Sequence, residues 1–184
     1  MHQLYIISGC NGAGKTTASF TVLPEILNCR EFVNADEIAR GISPFKPESV
    51  AIQAGKIMLN RIDELLLQKA NFAIETTLTT KSYLNTIKRA KALGYQVTLL
   101  FFWLNEVELA IERVKMRVSE GGHDIPEDVI RRRYYKGIQN LQQFIKTVDF
   151  WFVLNNSKKS LQFIAEGNKS EMTIFEKENW KKLS

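Results

Sequence analysis

The stretch "ISGCNGAGKTT", residues 7–17, decides how the rest of this chain is read. It contains Gly9-x-x-x-x-Gly14-Lys15-Thr16, the spacing of a P-loop. The preceding "LYIIS" is a short apolar run that reads as a buried strand, and "TTASFTVLPEIL", residues 16–27, reads as the helix that follows. Glycine lets the backbone curl without a Cβ clash, so successive N–H groups can converge on an anion at the start of that helix. Gly9, Cys10, Asn11, Gly12, Ala13, Gly14, Lys15, Thr16 and Thr17 are therefore expected to hold the phosphates of ATP. Lys15 would reach the β- and γ-phosphates, and Thr16 would offer its hydroxyl to Mg²⁺. Lys15 is expected at the protein surface when no ligand covers it.

Outward from this loop, strand and helix signals alternate. Short strands are expected over residues 31–34, 72–77, 96–104 and 149–157. Helices are expected over about 47–70, 81–93, 106–119 and 126–147, with Gly94 closing the second of these. The run "QVTLLFFWL" is apolar on both faces, as a central parallel strand should be. The pattern predicts an α/β, three-layer P-loop NTPase fold. Its sheet would be parallel and nucleoside-kinase-like, with helices on both faces and a small lid. A single domain over residues 1–184 is expected, with the lid at about 119–133 and a C-terminal hairpin at about 160–177 around "GN" at 167–168.

Composition narrows the class. The chain is 45% hydrophobic and 24% charged, an ordinary globular balance. No apolar run is long enough to span a membrane, and "MHQLYIIS" carries no basic leader before its strand. Two cysteines, Cys10 and Cys29, without metal-ligand neighbours suit the cytoplasm. A net charge of +5 raises the question of nucleic acid, but the basic residues are dispersed and polyphosphate binding itself calls for some of them.

In a parallel sheet the carboxyl ends of the strands deliver function. Asp36 follows the second strand in "VNADEIAR", and Glu75, Thr76 and Thr77 end the third. Asp36 reads either as a catalytic carboxylate or as the cap of the helix that begins there. Glu75 reads either as a cleft residue or as the partner of a lysine. The apolar strand ending "FFWLNE" lacks the Mg²⁺-organising aspartate of motor and switch NTPases. A small-molecule kinase tolerates this, since Asp36 or Glu75 could act on the metal through water. Arg113 and Arg117 share one helix face, and Arg131, Arg132 and Arg133 follow the Gly121-Gly122 pair. Arginines on both sides of a glycine hinge suit a lid closing over ATP, with a solvated basic face as the alternative. His123 sits in that hinge with a structural role as its simplest reading, and "LNNS", residues 154–157, is expected to border the adenine.

Together, "GCNGAGKTT", "VNADEIA", "IETTL" and "RVKMRVSEGGHDIPEDVIRRRY" resemble the zeta-toxin group of P-loop kinases in a short form, over about residues 3–157. The resemblance implies ATP- and Mg²⁺-dependent phosphorylation of a hydroxyl of a nucleotide sugar, UDP-N-acetylglucosamine. It implies Asp36 as catalytic base, Lys15 as phosphate lysine, and Arg117 and Arg133 as γ-phosphate ligands. Glu75, Thr77 and Arg40 fall on the substrate side. The expected function is phosphoryl transfer from ATP to a small-molecule hydroxyl acceptor. A nucleic-acid end kinase and a regulatory ATP-binding module partnered by an antitoxin are the other readings.

Overall fold

Strand β1, His2–Gly9, is apolar on both faces, so it needs a strand on each edge and a helix layer on each side. The computed structural model describes residues 1–184 and supplies both. β1 pairs in parallel with β3, Phe72–Thr76, on one edge and with β4, Tyr95–Trp103, on the other. β2, Glu31–Val33, lies outside β3, and β5, Phe150–Asn155, lies outside β4. The order β2-β3-β1-β4-β5 is the nucleoside-kinase-like arrangement expected from the sequence.

The sheet does not stop there. β6, Gln162–Asn168, adds antiparallel to β5, and β7, Met172–Ile174, adds antiparallel to β6, giving seven strands. The sheet is thus not wholly parallel. Residues 156–161 are too few for a crossover helix, so the chain can only return antiparallel. The turn closes one to four residues beyond Gly167, where the Asn168 side chain accepts from the backbone N–H groups of Ser170 and Glu171. The C-terminal helix α7, Lys177–Lys181, had no clear signal in the sequence. Trp180 pins it by stacking on Trp151 at 5.5 Å between ring centroids.

Helices cover both faces. α1, Lys15–Thr21, is shorter than the sequence suggested. Pro24 lacks the N–H that would continue the ladder, and the chain widens into a π turn over Val22–Ile26. α2 spans Ala35–Ile42. The expected long helix starts as a tight turn at Pro47–Val50 and becomes α3, Ala51–Leu67. α4, Ser82–Ala92, and α5, Val107–Ser119, match their patterns.

Two apolar clusters fill the spaces above and below the sheet, one built around Phe72, Phe101 and Trp151, the other around Ile7, Phe102 and Val114. α6, Glu127–Ile145, takes part in both. Its amino half buries Ile130 and Tyr134 in the second cluster, and its carboxyl half buries Leu141 and Phe144 in the first. No helix is long and apolar enough to cross a membrane.

Candidate active site

The P-loop is held against the strand behind it and the helix beside it. Gly12 has φ 75°, and a Cβ there would lie 2.7 Å from the carbonyl oxygen of Ala110 on α5. Gly9 has φ 137°, and a Cβ would collide with the carbonyl of Phe102 on β4. Both positions need glycine for conformation and for space. No side chain caps the start of α1, whose first N–H groups are left to the cradle. Cys10 lies in this loop with its thiol packed inward. Burial pushes its pKa up to about 11, so it is a protonated filler at neutral pH.

Lys15 is not at the surface, contrary to the sequence expectation. Its side chain is 6% exposed, donates to the Cys10 carbonyl at 2.9 Å and lies 3.5 Å from Glu75. The reason is long-range. β3 lies beside β1 and brings up a carboxylate, and a buried ammonium must be paired. Glu75 also accepts from the Thr16 hydroxyl at 2.8 Å and from the Asn34 amide at 3.0 Å. The lysine partner allowed for Glu75 from sequence is therefore the P-loop lysine itself.

Asn34 settles the reading of Asp36 as a cap. The Asn34 side chain accepts from the Asp36 N–H at 2.8 Å and is the N-cap of α2. Asp36 sits in the first turn with its carboxylate exposed. The sequence reading passed over Asn34, although asparagine ahead of two acidic residues is an N-cap signal.

The arginines separate by partner. Arg113 donates to the carbonyls of Gly12 and Asn156 at 3.4 and 2.8 Å, joining the P-loop to the segment after β5. Asn156 in turn donates its amide to the Ala13 carbonyl at 2.9 Å. Arg117 donates to the His123 carbonyl at 2.8 Å. Of the triple run, Arg133 reaches Asn11 at 3.0 Å, Arg131 pairs outward with Glu108 at 2.7 Å, and Arg132 is exposed. The Gly121-Gly122 pair is a defined cap rather than a bare hinge. Gly121, at φ 87°, donates to Val118 and Gly122 donates to Arg117, the Schellman pattern that closes α5.

A cleft of about 400 Å³ gathers most of these groups. Lys15, Thr16, Thr17 and Glu75 lie on one side, Asp36 and Arg40 on a second, and Arg113, Arg117 and His123 on a third. Arg40 pairs with Glu37 at 3.3 Å, and His123 lies 3.8 Å from Glu48. Thr77 and Arg133 do not line the cleft. Thr77 shares a 2.6 Å hydroxyl contact with Thr79, and Arg133 meets the P-loop by donating to Asn11, which does line the cleft. Glu37 and Asn34 line the cleft without having been singled out from the sequence, and Glu48 stands beside it near His123.

The family model described as zeta toxin matches residues 2–164. A Haemophilus influenzae protein of uncharacterized function is 33% identical over 126 residues, which are 68% of this chain and 88% of that protein. Among solved structures, that of AvrRxo1-ORF1:AvrRxo1-ORF2 with sulphate ions aligns at TM-score 0.80 and 17% identity, over 100% of this chain and 63% of that one. This chain therefore spans less than two thirds of that neighbour's length. The PezAT chromosomal toxin–antitoxin system of Streptococcus pneumoniae aligns at TM-score 0.68 and 17% identity, over 99% of this chain and 77% of that one. At such identities these structures speak for the fold, which is that of the P-loop kinases. The family match runs from β1 through the cradle, the cleft and the last parallel strand, and the chain belongs to the zeta toxin family.

Proposed function

We propose that this chain transfers the γ-phosphoryl group of ATP to a hydroxyl of a small, anionic metabolite. The observation that carries the reading is the single cleft in which the P-loop, the uncommitted carboxylate of Asp36 and the arginines Arg113 and Arg117 meet. The backbone of residues 9–17 would cradle the phosphates, and Lys15 would exchange Glu75 for the β- and γ-phosphate oxygens. Thr16 and Glu75 offer two oxygens 2.8 Å apart beside that cradle, a donor set that fits Mg²⁺, with Asp36 contributing through water. Held there, Mg²⁺ would supply neutralisation of phosphate charge.

Asp36 would accept the proton of the attacking hydroxyl. A bond forms from that oxygen to the γ-phosphorus, and the bond to the β–γ bridging oxygen breaks. Arg117, and Arg133 through Asn11, would steady the charge that develops. Arg40 and Glu75 would border the acceptor, with Thr77 in the turn that follows Glu75. The nucleotide sugar implied by the family, UDP-N-acetylglucosamine, is the first acceptor to try. A protein partner of the antitoxin kind is a second reading, favoured by family membership. The free, buried Cys10 and Cys29 suit the cytoplasm in which we place the protein.

The test is incubation with γ-labelled ATP and a cell metabolite extract, beside Lys15→Ala. Label should enter the small-molecule fraction, and the variant should lose about 10²-fold or more of that rate. Label found only in inorganic phosphate, or only in added oligonucleotide, would overturn the reading.

A further inference from the structure

Three residues of α6 at helical spacing, Arg133, Gly137 and Asn140, share one face. The first touches the P-loop, and the other two touch the turn after β3. Arg133 donates to Asn11 of the P-loop at 3.0 Å. Gly137 lies against the turn after β3, where a Cβ would come 2.8 Å from the Thr77 carbonyl oxygen. Asn140 is 3% exposed and donates its amide to the Leu78 carbonyl at 2.6 Å.

The turn that α6 grips is not relaxed. Leu78 has φ 55°, a left-handed conformation that a bulky residue rarely adopts. Its side chain is fully buried, and its N–H bonds the Thr76 hydroxyl at 3.2 Å. Such a conformation persists only where its surroundings over-determine it. Here they do so three times, through the Leu78 side chain in the core, the Asn140 amide and the close approach at Gly137. The turn leaves β3 directly after Glu75, and β3 lies between β2 and β1. It therefore stands between Asp36 and the P-loop at the carboxyl edge of the sheet.

We infer that α6 is a strut that fixes the acceptor's position relative to the phosphates, with Gly137 and Asn140 as its positioning residues and the Thr76–Thr79 turn as the part they hold. The inference rests on the kinase reading above. One rigid helix spans both apolar clusters, so it ties Asn11 to Leu78 a second time, beside the direct β1–β3 pairing from which the P-loop and the turn emerge. A shift of the turn should then disturb acceptor orientation while leaving the phosphate cradle intact.

Two variants test this with the full chain, labelled ATP and the metabolite extract as probe. Gly137→Ala adds a methyl group against the Thr77 carbonyl in a helix that otherwise favours alanine. Asn140→Leu keeps much of the shape but has no group to donate to Leu78. Both should require about 10-fold to 10²-fold more extract for half-maximal labelling, or lose that factor in rate. Half-saturation by ATP should stay within about twofold of wild type, and both variants should keep a cooperative thermal transition above the assay temperature, with the midpoint of Gly137→Ala lowered by the close contact at the Thr77 carbonyl. Wild-type labelling with both variants unchanged would overturn the strut alone, as would equal losses for ATP and extract. No labelling by wild type would overturn the kinase reading and this inference with it.

Discussion

On the floor of the cleft, Lys15 and Glu75 keep only 6% and 8% of their side-chain surface, and five groups from three parts of the chain share bonds there. On the roof, Arg117 is exposed and makes one hydrogen bond, to a carbonyl in the segment between α5 and α6. His123 beside it faces Glu48 at 3.8 Å, too far for a hydrogen bond. The floor is built before any ligand arrives, and its charges have already been desolvated. The roof is built from few buried contacts, the kind of region that opens at low cost. A phosphoryl-transfer site benefits from this split. On the kinase reading proposed above, a fixed floor would supply electrostatic preorganisation, and a roof that moves would admit two substrates and then exclude water.

The largest expected effect falls between floor and roof. Asp36→Asn should lower acceptor phosphorylation by about 10² to 10⁴ at saturating ATP, because asparagine cannot take a proton. ATP affinity and the thermal midpoint should hold, since Asn34 and not Asp36 caps α2. An active, equally stable variant would move the base role to Glu75. Next, Arg117→Ala should cost about 10² in turnover with little change in ATP half-saturation, as suits a group that acts when the roof is closed. A loss confined to half-saturation would make the roof a binding surface only. Smallest is Cys10→Ala on the floor. Turnover should change by less than about twofold, because the thiol is a protonated filler. Its raised pKa stabilises the fold fully below the unfolded value of about 8.5. That contribution is lost as pH rises toward about 11. Alkaline unfolding of the variant should accordingly be less steep, and an unchanged slope would mean that the floor is more open than its burial suggests.

What the sequence made legible follows the range of the interactions. The P-loop could be read because its glycines, lysine and threonine act within one turn of chain. Parallel strands and amphipathic helices were legible from periodicity, and their ends moved only by local features such as Pro24. The burial of Lys15 was not legible, because it depends on Glu75 sixty residues away in sequence. The contacts of Arg133 with Asn11 and of Arg113 with Asn156 join helices to loops on distant strands, and no spacing rule reports them. Arg133 could be singled out within its run, but the atom it bonds could not. The hairpin was recognised as a hairpin, while its addition to the main sheet followed only from the short return after β5.

The two outermost strands, β2 and β7, are three residues each. A sheet presents unpaired N–H and C=O groups only at its edges, and those groups are the template on which another chain can add. Here an incoming strand would make only a few backbone bonds on either side before the template ended. Widening the sheet with the C-terminal hairpin exchanges the exposed side of the six-residue β5 for the three-residue β7. The hairpin thus protects the molecule against edge-to-edge aggregation, and deleting it should make the chain prone to self-association even where the cleft is untouched.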